Sequence, residues 1–172
     1  YKITAIDHAV QVLGLDFIKP LILCHGVFSQ FDAVKTGNFP IENLWRHSLA
    51  VGEFSRRIAK LENLDPETTN NAITSGLLHD VGKPIIAIKL PRQYREILLL
   101  KSRTKIPDWE AEYEILSVTH AQVGAYVLGL WGLPADVVEA VAYHNCPSQY
   151  NGQIFSALTV VHAANVLEHE ST

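Results

Sequence analysis

The sequence contains no methionine and only two cysteines, and both shortages narrow the interpretation of the chain. Since an initiator methionine is missing, we expect Tyr1 to follow further residues of a longer or processed polypeptide. Cys24 and Cys146 lie far apart in the sequence and do not have the spacing of a cysteine metal site. A reducing, cytoplasmic location is the simplest interpretation of this cysteine usage.

Long apolar runs and a strong excess of charge are also missing. The longest uncharged, mostly apolar run, residues 123–135, falls short of the ~20 residues that cross a bilayer, so no membrane span is expected. The formal net charge is −4, whereas nucleic-acid-binding domains usually carry a basic face, so nucleic acid is not an expected partner. With 172 residues, 48% of them hydrophobic, the chain is long enough for one compact domain.

The alternation of apolar and polar residues that marks a β-strand does not persist beyond a few residues anywhere in the sequence. Apolar residues recur instead at intervals of three and four, which predicts helices. The fold is therefore predicted to be all-α, a compact bundle of many helices. The predicted helices cover about residues 3–13, 16–31, 42–61, 66–79, 85–90, 92–101, 108–114, 120–131, 134–144 and 153–169.

Histidine is abundant, with eight residues, and four of them occupy informative positions in the predicted helices. These four are His47 inside a long helix, His79 at the end of the next, His120 at a helix start and His144 at a helix end. Helical bundles often build metal sites from ligands on different helices. Imidazole and carboxylate together suit iron, manganese or zinc. We therefore hypothesise that Asp80 bridges two ions, with His47 and His79 on one and His120 and His144 on the other.

Such a pair of ions lowers the pKa of a bound water and holds a phosphoryl group during attack. Lys83, one helical turn after His79, would meet a phosphate oxygen as a point charge. Asp80 and Lys83 are thus the candidate catalytic residues. A lone histidine in a helical protein is more often hydrogen-bonded or partly exposed than a ligand. On that ground four histidines receive no metal role: His8, His25, His162 and His169.

Four stretches of the sequence resemble, in order and separation, the HDOD family, the HD-related output domain of bacterial signalling proteins. They are "GLLHDVGK", "THAQVGAYVLGLWGLP", "VEAVAYHNCP" and "LTVVHAANVL". The resemblance implies that residues 1–172 form one HDOD domain, with an HD-like helical core over about residues 41–172. Residues 1–31 would be the end of the family's N-terminal helical half, which usually has further helices before it. HDOD domains are all-α and similar to the HD superfamily of metal-dependent phosphohydrolases, which includes the HD-GYP phosphodiesterases of cyclic di-GMP.

Compared residue by residue, the resemblance implies a metal ligand set and also shows where this sequence departs from it. The positions that match superfamily metal ligands are His47, His79, Asp80, His120 and His144, and Lys83 matches a lysine of the HD-GYP proteins. Asn165 stands at the position of the closing aspartate and stays in the candidate ligand set. Asn145 stands where HD-GYP proteins have a further histidine, and no Gly-Tyr-Pro follows. A neutral amide oxygen is a poor ligand for a transition ion, so these changes weaken the implied site.

Three functions follow as alternatives. The substituted ligand set favours a signalling output domain that binds partners or a ligand. Its expected partners are signalling proteins or an N-terminal input module such as a receiver domain. The joint presence of four histidines and Asp80 favours a metal-dependent phosphohydrolase or phosphodiesterase with a divergent dinuclear site. A nucleotide or second-messenger sensor without turnover is the third alternative. One or two divalent ions (iron, manganese or zinc) are the expected cofactor, and a phosphate-containing small molecule is the candidate ligand.

Overall fold

The computed structural model describes residues 14–32, 39–152 and 155–171, and all regular structure in these ranges is helical. The prediction of an all-α bundle is thereby confirmed. The helices are α1 (Leu15–Asp32), α2 (Ile41–Leu61), α3 (Pro66–Leu78), α4 (Gly82–Lys89), α5 (Pro91–Thr104), α6 (Asp108–Leu116), α7 (His120–Leu130), α8 (Ala135–Tyr143) and α9 (Ala157–Ser171), with a short 3₁₀ helix at Pro147–Gln149 before α9. The helix predicted over residues 3–13 lies outside the described residues.

Local sequence fixes the ends of the helices that carry the candidate residues. The Asp65 carboxylate accepts hydrogen bonds from the backbone N–H groups of Glu67 and Thr68 and so begins α3. Thr119 begins α7 through a reciprocal capping box with Gln122. His120 is consequently the first residue of α7, and its side chain is buried.

Two predicted helix starts were wrong, and one of them matters for the candidate site. Helix α4 begins at Gly82, three residues before its predicted start, so Lys83 is helical. His79 and Asp80 form the tight turn between α3 and α4, closed by the Lys83 N–H donating to the Asp80 carbonyl at 3.0 Å. Helix α9 begins at Ala157 and not near residue 153. Ser156 is the last residue before the helix. Its N–H donates to the Thr159 hydroxyl, and its carbonyl accepts from Val160.

Close backbone approach at glycines brings the site-bearing elements together. A Cβ atom on Gly76 would lie 2.6 Å from the Ser55 hydroxyl oxygen, so α3 crosses α2 at a point with no room for a side chain. A Cβ atom on Gly82 would collide with the carbonyl of His120, which shows how closely α4 meets the start of α7. This second contact places the turn that carries Asp80 beside His120.

The main hydrophobic core lies between α1, α2 and α3, against α7 and α8. Ile73 and Leu77 of α3 are fully buried there, in the same cluster as Phe17 and Val27 of α1. The Cys24 thiol of α1 also donates to the carbonyl of Leu77 at 3.3 Å. Among the described residues, no helix is both long and apolar enough to cross a membrane.

Candidate metal centre

The Asp80 carboxylate lies at the centre of the five candidate ligands that carry strong donor atoms, and it divides the four imidazoles into two pairs. Its Oδ2 atom lies 3.4 Å from Nε2 of His79 and 3.7 Å from Nε2 of His47. Its Oδ1 atom lies 3.0 Å from Nε2 of His120 and 3.7 Å from Nε2 of His144. We name the His47–His79–Oδ2 side the first half and the Oδ1–His120–His144 side the second half. Each half contains the two histidines that the bridging hypothesis assigns to one ion, and the binding of an ion there stays a prediction.

Each of the four imidazoles turns its Nδ1 atom to a hydrogen-bond acceptor outside the centre. The acceptors are Glu168 Oε2 for His47 (2.7 Å), the Gly76 carbonyl for His79 (2.8 Å), Glu112 Oε2 for His120 (2.6 Å) and the Val141 carbonyl for His144 (2.8 Å). A carbonyl or carboxylate oxygen only accepts, so Nδ1 carries the proton in the neutral rings. Every Nε2 atom then presents a lone pair towards Asp80, which is the tautomer that metal-ligating histidines use.

The donor set fits divalent ions on three observations. The residues of the first half form one group whose ligand atoms lie within 4.8 Å of one another, and those of the second half form another. Two ligand atoms on one ion, with bonds of about 2.0–2.1 Å, lie roughly 3.0–3.4 Å apart, close to the distances found in each half. With the four rings protonated on Nδ1, none of these imidazoles donates a hydrogen bond to the buried Oδ1 atom of Asp80, so a positive charge at the centre would offset the charge of this carboxylate.

The ionisation of Asp80 suits a ligand, although the residue is buried. Burial alone would raise the pKa of its carboxyl, but the charges of Lys83 and of a protonated His79, and the hydrogen bonds that protonated His120 and His79 rings donate to it, outweigh that effect. The pKa of Asp80 therefore lies well below its ordinary value. The carboxylate stays negative at neutral pH and can neutralise part of the charge of an ion.

The histidines divide into two kinds by their electrostatics. Burial lowers the pKa of His144 well below its ordinary value and lowers that of His47, and the charge of His79 acts in the same direction on both. These two rings are therefore neutral, as ligands must be. His120 differs, because hydrogen bonds to Asp80 and Glu112 outweigh its burial and raise its pKa. His120 can ligate an ion, or accept a hydrogen bond at Nε2, only in its neutral form.

A cavity of about 460 Å³ opens onto the centre, and its wall carries three lysines. Lys83 contacts Asp80 Oδ2 at 2.6 Å and Asp108 Oδ2 at 3.4 Å, while Lys101 also pairs with Asp108. Lys105 lines the same cavity and is exposed. The wall carries these three lysines against two carboxylates, Asp80 and Asp108, so a net positive charge remains beside the ligand cluster, which suits an anionic group.

Asn165 lines this cavity, and its Oδ1 atom is buried without a hydrogen-bond partner. One helical turn later, Glu168 supplies a carboxylate on the same helix, but this carboxylate contacts His47 at Nδ1 and not at the ligating Nε2. The structure therefore puts a negative charge behind the His47 ring, although the closing position holds an amide. His47, Glu168 and His169 form a further group that could hold an ion.

Sequence reasoning missed Glu112 and Glu168 and gave His169 no role. Glu168 and Asn165 lie three residues apart on α9, a spacing that could have pointed to Glu168, whereas nothing in the sequence marks Glu112. Two of the other histidines do not direct a ring nitrogen to Asp80. The His162 ring donates from Nδ1 to the carbonyl of His144 at 2.8 Å, and the exposed His25 ring packs edge-on against Trp45. His8 lies outside the described residues.

Comparison with known proteins agrees with the resemblance to the HDOD family that the sequence shows. The family model of the HDOD domain matches residues 1–147. A crystal structure of an HDOD domain protein from Geobacter sulfurreducens superposes with a TM-score of 0.82 at 26% identity, over 97% of this chain and 55% of that one. The structure of a candidate phosphohydrolase from Shewanella amazonensis SB2B superposes with a TM-score of 0.80 at 22% identity, over 99% of this chain and 61% of that one. This second likeness shows a shared fold.

A curated relative shares a shorter region. Ribonuclease Y of Ureaplasma parvum serovar 3 is 40% identical over 63 residues, which are 37% of this chain and 13% of that protein. The chain therefore spans less than two thirds of each of the three proteins compared.

Proposed function

The chain belongs to the HDOD domain family, and from that premise we propose that it is an output domain whose Asp80 centre holds a divalent ion and binds a phosphate-bearing ligand. One observation supports this proposal above the others. Four Nε2 lone pairs converge on one buried carboxylate, and each ring is fixed in the ligating tautomer by an acceptor behind it. The Nε2 atoms of His47 and His79 also lie 3.1 Å apart, and two acceptors that face each other are unfavourable without a cation or an added proton between them.

The residues of the cavity would position the ligand. Lys83, Lys101 and Lys105 supply positive charge to phosphate oxygens at the wall. When bound, a divalent ion polarises a phosphoryl oxygen and activates a water at neutral pH. The pKa of Asp80 lies well below its ordinary value despite burial, so its carboxylate is already negative when a cation arrives.

Hydrolysis of the bound ligand is the second candidate function, and one specific observation favours it. The Lys83 ammonium contacts Asp80 at the ligand cluster and also faces the cavity, where it would stabilise charge that develops on a phosphoryl group. The names of two similar proteins, ribonuclease Y and the Shewanella phosphohydrolase, agree with such chemistry. The amides at Asn145 and Asn165 favour binding over turnover, since each replaces a stronger ligand.

Coupling to a signal is a further part of the proposal and is supported by the family relationship alone. An input module such as a receiver domain, or a partner signalling protein, would change the state of the domain. A cytoplasmic location agrees with such a role and with two cysteines that are both free.

Elemental analysis of the purified protein tests the metal centre. We expect the wild type to contain iron, manganese or zinc, and the Asp80→Ala variant to lose nearly all of it. Asp136→Asn, which changes an exposed carboxylate on α8, is the matched control and should keep the metal. A wild type that is free of metal after both aerobic and anaerobic preparation would refute the proposed centre.

Calorimetric titration with inorganic phosphate and with bis(p-nitrophenyl) phosphate tests the ligand. We expect binding to the metal-loaded protein, and weaker binding to the Lys83→Met variant. Release of p-nitrophenol that disappears in Asp80→Ala would establish hydrolysis, and binding without release would establish a sensor. A metal-loaded protein that binds neither compound would contradict the phosphate part of the proposal.

A further inference from the structure

The two halves of the centre differ in what their Nε2 atoms face. In the second half, the Asn145 side-chain nitrogen lies 2.9 Å from Nε2 of His144 and 3.2 Å from Nε2 of His120. A primary amide nitrogen carries two hydrogens, so it can donate one to each ring. Asn145 thus satisfies both imidazoles with a single atom, in the region where an ion bound to both rings would lie.

The orientation of this amide follows from the rings around it. His120 and His144 use their Nδ1 protons on Glu112 and on the Val141 carbonyl, so both Nε2 atoms of the neutral rings are acceptors. An amide oxygen in the same place would face two lone pairs and be repelled. The nitrogen orientation is therefore the favoured one when the second half holds no ion.

We propose that the Asn145 amide takes the place of an ion in the second half and limits the centre to one tightly held divalent ion, in the first half. This inference rests on the proposed metal centre and specifies its capacity. The sequence predicted one or two ions. In this inference one ion would be held by the first half, and the Asn145 amide would hydrogen-bond both histidines of the second half.

In the first half, no amide of the described residues lies between the two Nε2 atoms, so a cation would still stabilise this pair of histidines. The Nε2 atoms of His47 and His79 lie 3.1 Å apart and face each other. Two lone pairs at this separation repel unless a cation or a proton stands between them. Lys83 does not oppose loading, because it contacts both Asp80 and Asp108 and can keep Asp108 as its acidic partner.

Loading the second half requires the amide to leave or to rotate. A rotated Asn145 would offer its Oδ1 atom, a neutral ligand that transition ions favour less than imidazole. Removing the amide should therefore open the second half, and a histidine at this position should open it and add a ligand. Asn145 is in this sense a residue that sets metal stoichiometry.

Titration of the chelator-treated protein with Mn²⁺ measures the capacity directly. The signal of free Mn²⁺ in electron paramagnetic resonance gives the number of ions bound, and elemental analysis after dialysis gives the number retained. We expect one retained ion per chain in the wild type, and two in Asn145→Ala and in Asn145→His. Asn151→Ala, which changes an exposed amide in the following loop, is the matched control and should retain one ion.

Two histidine variants assign the single ion to its half. His47→Ala should lose it, whereas His144→Ala should keep it. A wild type that retains two ions with similar affinity, or a single ion lost in His144→Ala and kept in His47→Ala, overturns this inference and leaves the metal centre intact. A wild type that binds no Mn²⁺ overturns the proposed centre itself. Circular dichroism of each variant establishes folding, and failure of both folded Asn145 variants to bind a second ion also overturns the inference.

Discussion

At the scale of single residues, the groups behind the ligands matter as much as the ligands. The His47 ring can ligate through Nε2 because Glu168 holds its Nδ1 proton at 2.7 Å. A carboxylate in that position fixes the ring and also makes its Nε2 atom a stronger donor. Glu168 is on α9 and His47 is on α2, so this contact exists only after the helices have packed.

Replacing Glu168 by glutamine should weaken metal binding without removing a ligand. Loss of an outer hydrogen-bonding carboxylate typically lowers metal affinity by about 10–100-fold, and we expect a change of that size. Competition with a chromophoric chelator measures it. Glu170→Gln, at an exposed position on the same helix, serves as the control. Equal affinities for wild type and Glu168→Gln would show that the carboxylate has no influence on the centre.

The two cysteines should differ in reactivity, because they differ in burial. Burial raises the pKa of the Cys24 thiol to about 12, and this thiol donates to the carbonyl of Leu77. Cys146 is partly exposed, and its pKa is raised by burial and by the charge of Glu110. At about pH 8, a disulfide reagent should therefore modify one thiol in the native protein and two after denaturation. The Cys146→Ser variant should lose the native reaction, and rapid modification of two native thiols would contradict the buried position of Cys24.

The residue types of the candidate site could be predicted from sequence, because ligand chemistry belongs to the side chain itself. His79 and Asp80 are neighbours, and His120 and His144 mark helix ends, so their inward direction could be inferred. Glu112 could not be predicted, since its carboxylate reaches the His120 ring only through the path of α6 and the loop after it. The donation from Asn145 to two rings depends on the tautomers that those distant contacts fix.

At the scale of elements, the position of the centre depends on how closely α4 meets α7. Gly82 is the second residue after Asp80, and its Cα faces the carbonyl of His120 and the nitrogen of Gly124. Any side chain there would push the two helices apart. The same movement would separate Asp80 from His120, whose atoms now lie 3.0 Å apart.

A Gly82→Ala substitution should therefore reduce both stability and metal content. Overpacking of this kind costs about 1–3 kcal/mol, and the rigid backbone on the other side favours the upper part of that range. Gly129→Ala on α7 is the matched control, because a Cβ atom there would meet only the Val138 methyl groups at 3.9 Å. Alanine should stabilise that helix by about 0.5–1 kcal/mol. Urea unfolding and elemental analysis measure the two effects, and a Gly82→Ala protein as stable as the wild type would refute the close contact.

Helix identity was predictable from periodicity, whereas the starts of two helices were not. Asp65 and Pro66 gave the beginning of α3 because capping chemistry is local. The start of α4 was missed, since Gly82 at a helix beginning is explained by the neighbouring α7 and not by its own propensity. Sequence patterns therefore predict elements well where local chemistry decides, and less well where a tertiary contact does.

At the scale of the whole molecule, α1 belongs to the same core as the helices that carry the centre. The Phe28 and Trp45 rings pack edge-on with centroids 5.1 Å apart, and so join α1 to α2. Phe17 and Val27 belong to the same buried cluster as Ile73 and Leu77 of α3, and the Cys24 thiol of α1 donates to the carbonyl of Leu77. His79 follows Leu77 by two residues, so the support of α3 by α1 extends to the turn that carries Asp80. Helix α1 lies before residue 41, where the HD-like core is predicted to begin, and nevertheless packs directly against that core.

A fragment that begins at Phe39 should consequently be less stable than one that begins at Gly14. Without α1, the side chains of Ile73 and Leu77 would face solvent, and each exposed large aliphatic side chain costs about 1.5–3 kcal/mol. We expect a lower and broader thermal transition, stronger binding of a hydrophobic dye, and weaker retention of metal, because the turn after α3 loses its support. The fragment that begins at Gly14 retains α1 and is the matched control. If the shorter fragment unfolded at the same temperature and with the same sharpness, residues 39–172 would be a self-sufficient unit and α1 would not contribute to the stability of the core.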